Sequence, residues 1–113
     1  MPDGFVRMRS GEKRPVYGQA AAQSGTLAIQ ASPAPSCTLY HSDGAVVAGF
    51  SGIPVTGYDS GAVANPRAWL NLDTAGLTAG FYTLVFRFTA AGSDGITRVY
   101  APSLEVQVQD ARA

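Results

Sequence analysis

The chain has 113 residues, which is enough for one hydrophobic core but too few for two. Hydrophobic residues make up 46% and charged residues 14%, with 13 glycines and 7 prolines; this excludes a disordered chain and argues against a helical bundle. Eight basic residues balance eight acidic ones, so no overall field exists to gather nucleic acid or anionic lipid. We expect one all-β domain that does not bind nucleic acid.

The N-terminal segment carries the one local excess of positive charge, in which four basic residues outnumber two acidic ones: Arg7, Arg9, Lys13 and Arg14 against Asp3 and Glu12. We predict an arm or edge strand over 1–13, the folded domain over 14–110 and a short tail over 111–113. No stretch is long and apolar enough for a signal peptide or a membrane span. We therefore expect no membrane contact, and synthesis in the cytoplasm if the chain starts at its native methionine.

Glycine and proline separate short segments whose apolar residues recur with a period of two, which predicts strands rather than helices. In chain order the predicted strands are 16–21, 26–31, 37–41, 45–50, 55–58, 67–73, 81–90, and 96–101 with 104–109. Pro102 interrupts the last two segments, which indicates either a bulge or a crossing from one sheet edge to another. The tripeptide Ser-Asp-Gly occurs at 42–44 and at 93–95, and Asp-Gly suits the tight turns of β-hairpins. The pattern predicts seven or eight strands, typical of a β-sandwich.

The predicted core consists of the residues at the inward-facing positions of these strands and of one corner: Leu27, Ile29, Leu39, Val47, Leu70, Leu72, Leu77, Tyr82, Leu84, Phe86, Phe88, Leu104, Val106 and Val108.

The segment from Leu70 to Phe88 combines a strand, a tight glycine-containing corner with Leu77, and Gly-Phe-Tyr82 at the start of a strongly alternating strand. This segment resembles the E-to-F corner of immunoglobulin-like and fibronectin-III-like domains. The resemblance implies an immunoglobulin-like antiparallel β-sandwich in which Tyr82 packs inward and its hydroxyl bonds to the corner backbone. Cys37 is the one cysteine and Trp69 precedes the corner, so the chain resembles bacterial and phage modules more than antibody domains.

No residue pattern indicates catalysis or a cofactor. His41 and Ser42 are neighbours entering a turn and point to opposite faces, which does not favour a catalytic triad. One cysteine and one histidine cannot complete a zinc site, so Cys37 is expected to be a small core residue. Four aspartates stand in turn-like settings, where we expect them to cap the backbone, with a calcium site at the loop ends as the alternative: Asp43, Asp59, Asp73 and Asp94. We expect no enzyme activity.

The alternation of 67–73 places Trp69 on the outer face of its sheet, beside Arg67 and Asn71. The alternative is a register slipped by one residue, or a neighbouring segment that covers the indole. On the strand 81–90, Phe81, Val85 and Arg87 face away from the core, and apolar residues on both faces suggest that something covers the outer one. These six residues are the predicted contact residues.

Two functions are consistent with these observations. The first is a non-enzymatic structural module that associates with itself or with a protein partner, as a component of a bacteriophage particle, whose structural modules the chain resembles. The alternative is a carbohydrate-binding module in which Trp69, with Tyr40 or Tyr58, stacks on a sugar.

Overall fold

The computed structural model describes residues 4–21 and 25–109, and every element in these ranges is a strand or a loop. The ten strands are β1 (Phe5–Arg9), β2 (Lys13–Gln19), β3 (Leu27–Ile29), β4 (Ser36–His41), β5 (Ile53–Pro54), β6 (Gly57–Tyr58), β7 (Arg67–Asp73), β8 (Gly80–Gly92), β9 (Thr97–Tyr100) and β10 (Ser103–Gln109). Within these ranges no helix is present that could cross a membrane. The predicted tail 111–113 and the first three residues of the predicted arm lie outside the described residues.

The strands form two sheets. The larger sheet has the order β1-β10-β8-β4-β5, and β3 and β9 both pair with the far end of β8; the smaller sheet has the order β2-β7-β6. All pairs are antiparallel except β1 with β10, which run parallel with Phe5 opposite Glu105. The expected purely antiparallel arrangement is therefore wrong at this edge. The reason is that the turn after β1 carries the chain to the other sheet, which leaves β1 beside the last strand.

The two sheets face each other across one core. Gly18 of β2 lies against the ring of Phe86 of β8, so closely that a Cβ on Gly18 would overlap the ring. All fourteen predicted core residues are buried. The core also contains residues outside the predicted set, among them Met8, Val16 and Ala90. The all-β, sandwich-like architecture is thus confirmed.

The strand count of seven or eight is wrong, because β1 is an additional strand and the segment 96–109 is divided into β9 and β10. Between 45 and 58 two strands are present, as predicted, but their positions differ. The predicted strand 45–50 is reduced to a single bridge between Val46 and Tyr40, because the chain turns back at Ala48 and Gly49. The predicted strand 55–58 is replaced by two strands of two residues each. The first, β5, belongs to the larger sheet and the second, β6, to the smaller sheet, so the chain changes sheets between them.

Both predicted hairpin turns are confirmed, and they share one geometry. Gly44 and Gly95 have positive φ angles of 92° and 84°, which glycine adopts without strain. In each turn the aspartate side chain accepts a hydrogen bond from the backbone N–H two residues later. The distances are 2.9 Å from Ala45 N to Asp43 Oδ1 and 3.0 Å from Ile96 N to Asp94 Oδ1.

The corner before β8 is built as the resemblance implied. Tyr82 is 3% exposed, and its hydroxyl donates a hydrogen bond of 2.7 Å to the backbone carbonyl of Thr78. The turn at Leu77 is closed by a bond of 3.0 Å from its N–H to the carbonyl of Thr74. The tyrosine therefore fastens the start of the longest strand to the loop that precedes it.

Candidate functional site

The outer face of the smaller sheet carries three of the six predicted contact residues. Ala68 and Leu70 are buried, so Arg67, Trp69 and Asn71 point away from the core. The predicted register of β7 is thus confirmed, and the slipped register is wrong. The neighbouring strand β2 places Tyr17 directly opposite Trp69.

The indole of Trp69 lies between its two neighbouring strands. On one side its ring centroid is 6.0 Å from that of Tyr17, with 49° between the ring planes. On the other side it lies over Gly57 of β6, where an added Cβ would approach the indole to 2.5 Å. Trp69 is half-buried as a result, whereas Tyr17 remains 43% exposed. A glycine at position 57 is needed because any side chain there would displace the ring.

Arg67 holds the third position of this surface. Its guanidinium carbon lies 4.9 Å from the centroid of the Tyr17 ring, within the range of a cation–π interaction. Its Nε is 3.7 Å from Oδ2 of Asp59, and the same oxygen accepts a hydrogen bond of 3.0 Å from the Arg67 backbone N–H. Asp59 therefore positions both the backbone and the side chain of Arg67.

Thr56 orders the adjoining backbone. Its N–H donates to the carbonyl of Trp69 at 2.8 Å, and its hydroxyl accepts from the N–H of Asn71 at 2.8 Å. The side chain of Asn71 is left exposed, opposite Pro15 of β2. We call Tyr17, Arg67, Trp69 and Asn71 the aromatic face.

The sequence analysis missed Tyr17 and chose the wrong aromatic partners for Trp69. Tyr40 lies on β4, opposite Thr83, on the outer face of the other sheet. Tyr58 lies opposite Ala68, points inward and packs against the core. The alternation that places Val16 in the core would have placed Tyr17 outside. The position of Tyr17 beside Trp69 could not be predicted in this way, because the pairing of β2 with β7 joins residues some fifty positions apart.

The other three predicted contact residues lie on the opposite side of the molecule, on the outer face of the larger sheet. Phe81 is 50% exposed beside Gln107, and Arg87 is exposed beside Ser36. Val85 is half-buried between Thr38 and Ser103. The six residues therefore form two separate surfaces rather than one site.

Three titratable side chains, Cys37, His41 and Asp94, lie away from the aromatic face. Cys37 is 1% exposed, and burial raises the pKa of its thiol to about 11. His41 is exposed at the hairpin, with its ring centroid 5.6 Å from that of Tyr82. The backbone N–H of Ile96, followed by Arg98, lowers the pKa of Asp94.

The predicted capping role of the four aspartates is confirmed, since each accepts a backbone N–H; the remaining two bonds run from Ala75 to Asp73 and from Arg67 to Asp59. Over 4–21 and 25–109 no group of three or more His, Cys, Asp and Glu residues could hold a metal ion.

No family model matches this sequence, and no curated protein is significantly similar to it.

Proposed function

We propose that this chain is a non-enzymatic immunoglobulin-like module that acts in protein assembly. The strand order supports the class, because β2-β7-β6 facing β5-β4-β8-β10 corresponds to the B-E-D and C′-C-F-G sheets of immunoglobulin-like domains. The bond from Tyr82 to Thr78 at the start of β8 supports it further, since a tyrosine corner is typical of that position.

The observation that carries the assembly function is the aromatic face. Tryptophan, tyrosine and arginine are the residues most enriched among those that contribute most to protein–protein binding. Here they lie side by side on strands that the sheet holds rigid, with Arg67 held in place by Asp59. A partner that covers Tyr17 would meet side chains already ordered, and it would lose little entropy in fixing them.

The geometry favours a protein partner over a sugar. A sugar stacks on an open ring face, but Arg67 lies over the face of Tyr17, and the two rings are tilted by 49° rather than coplanar. Carbohydrate binding is kept as the second candidate because Trp69 is half exposed beside the polar side chain of Asn71.

Trp69 is the one tryptophan, so its fluorescence reports directly on this face. We expect no saturable change in tryptophan fluorescence on titration with a broad glycan set. A saturable change would support carbohydrate binding instead of protein assembly.

The proposed setting is a bacteriophage particle. The support is the resemblance of the domain as a whole, a short immunoglobulin-like module, to the structural modules of tailed phages. Particles of the encoding phage, purified on a density gradient, are expected to contain the chain in a fixed ratio to other virion proteins when measured by mass spectrometry. Its absence from purified particles would contradict the virion setting.

The experiment that tests the contact surface is site-specific photocrosslinking. A photoreactive phenylalanine analogue is placed at Asn71, at Arg87 on the opposite sheet, or at Ser42 in an exposed turn as the control. We expect a crosslinked product from position 71 in the assembled particle and none from position 42. Crosslinks from position 87 alone would place the contact on the larger sheet and contradict the proposed face.

A further inference from the structure

Strand β2 has an open edge. The backbone N–H and C=O groups of its even-numbered residues point toward β7 and bond to it. Two hydrogen bonds at the ends of the ladder show this: Ala20 N–H donates to the carbonyl of Pro66, and the carbonyl of Glu12 accepts from Thr74 N–H, both at 3.0 Å. Because these groups alternate along a strand, those of the odd residues point away from β7. Tyr17 N–H and Gln19 N–H therefore face outward, and among the described residues neither donates a hydrogen bond.

The other edges of the two sheets are closed or short. Along β1, the carbonyl of Arg7 accepts a bond from Arg14, and the N–H of Arg9 donates to the side chain of Glu12. Strands β5 and β6 have two residues each, and β9 has four. Within 4–21 and 25–109, the seven-residue β2 is the longest edge left open, and open edges are sites where a further strand adds.

We propose that a second copy of this chain pairs antiparallel with β2 about a two-fold axis at Tyr17. This inference rests on the proposed assembly function and specifies its partner. In this register Tyr17 N–H donates to the carbonyl of Tyr17 in the other copy, and each Gln19 N–H donates to the carbonyl of the other copy's Pro15. Proline has a carbonyl but no N–H, so position 15 serves here as an acceptor.

The charges of the strand fit this register. Lys13 and Arg14 lie opposite Ala21 and Ala20 of the other copy, so no like charges meet across the pair. If the two-fold axis lay three residues earlier, at Arg14, the Arg14 side chains of the two copies would lie opposite each other. The chain has a formal net charge of zero, so two copies do not repel each other as whole molecules.

The surfaces on both sides of the edge also fit a second copy. On the outer face, the two Tyr17 rings become neighbours and extend the aromatic face into a continuous row from one Trp69 to the other. On the inner side, a shallow cleft of about 390 Å³ opens beside the edge, lined chiefly by apolar side chains from both sheets, among them Val6, Val16 and Leu104. The added strand would cover this cleft. The contact is narrow, so we expect a weak dimer that dissociates on dilution.

Light scattering after size exclusion tests the dimer over a range of protein concentrations. The mass is expected to rise from that of one 11.7 kDa chain toward twice that value as the concentration increases. Gln19→Pro removes an outward N–H without touching the bonds to β7, and it is expected to abolish this rise. Gln19→Ala keeps the N–H and is the matched control. Thermal melts by circular dichroism establish that both variants are folded.

A second experiment tests whether the two-fold axis lies at Tyr17. Tyr17→Glu and Tyr17→Lys each place like charges across the axis and are expected to be monomeric. A mixture of the two is expected to recover the dimer, because a glutamate then faces a lysine. In the wild type, amide hydrogen exchange at Tyr17 and Gln19 is expected to slow with concentration, while exchange at Val16 is unchanged.

A wild type that stays monomeric at the highest soluble concentration, a dimer that survives Gln19→Pro, or a charge mixture that stays monomeric would overturn the inference. Its failure is separable from that of the proposed function, because crosslinking from Asn71 in the particle reports on the aromatic face whether or not β2 pairs.

Discussion

The ring of Phe86 occupies the space that a side chain on Gly18 would need, so the two sheets are in close contact at this point. Phe86 is fully buried and its strand is paired on both sides, so the ring has little freedom to move. Packing of the core therefore requires a glycine at position 18 of β2.

Gly18→Ala is expected to lower the free energy of unfolding by about 1–3 kcal/mol, because the added methyl group overpacks the core against Phe86. Gly61→Ala is the control, since no atom lies within 4 Å of its added Cβ, and we expect a change below about 0.5 kcal/mol. Urea unfolding measures both. Combining Gly18→Ala with Phe86→Leu should cost less than the sum of the two single changes. Strict additivity would show that the ring and the methyl group do not compete for space.

Gly57→Ala is expected to displace the Trp69 indole from β6 toward solvent, because the new Cβ overlaps the ring. The tryptophan emission maximum should shift to longer wavelength, and the far-ultraviolet circular dichroism should keep its strand signature. An unshifted emission maximum in the folded variant would mean that the indole does not rest on Gly57. Gly61→Ala again serves as the control.

Tyr82→Phe removes the hydroxyl that bonds to the carbonyl of Thr78, and it is expected to destabilise the domain by about 1 kcal/mol. Tyr100→Phe is the matched control, because the described contacts of Tyr100 are a ring stack on Phe88 rather than a hydrogen bond. Chemical denaturation should separate the two variants. Equal losses would argue that the corner bond contributes nothing.

The thiol of Cys37 is expected to resist alkylation in the folded protein at pH 8 and to react readily in denaturant, because burial raises its pKa to about 11 from an ordinary 9.0.

The folded state holds the thiol proton of Cys37 more strongly than the unfolded state does. The resulting stabilisation is present below pH 9 and is lost as the pH rises toward 11. The stability difference between the wild type and Cys37→Val should therefore shift against the wild type over this interval. Thermal melts across the interval measure the shift; a constant difference would contradict the raised pKa.

The strands that could be predicted from the sequence are those with a polar face and an apolar face. In β7 and β10 strict alternation decides which side chains are buried, since a one-residue slip would move the whole apolar set into water. The two Asp-Gly turns and the Tyr82 corner were predictable for a related reason. Their conformations depend on residues within four positions of one another, so local chemistry specifies them.

Pairing between distant segments was decided by the tertiary structure alone. The parallel position of β1 beside β10 and the contact of Tyr17 with Trp69 join residues far apart in the chain. The change of sheet between β5 and β6 depends on their different partner strands, β4 and β7. Alternation shows which face of a strand is buried, but it carries no information about which strand lies next to it. For this protein the sequence by itself determined the fold class, the core and the outward direction of Trp69. Only the packing of the two sheets decided which residues share its surface and which strand edge is left open.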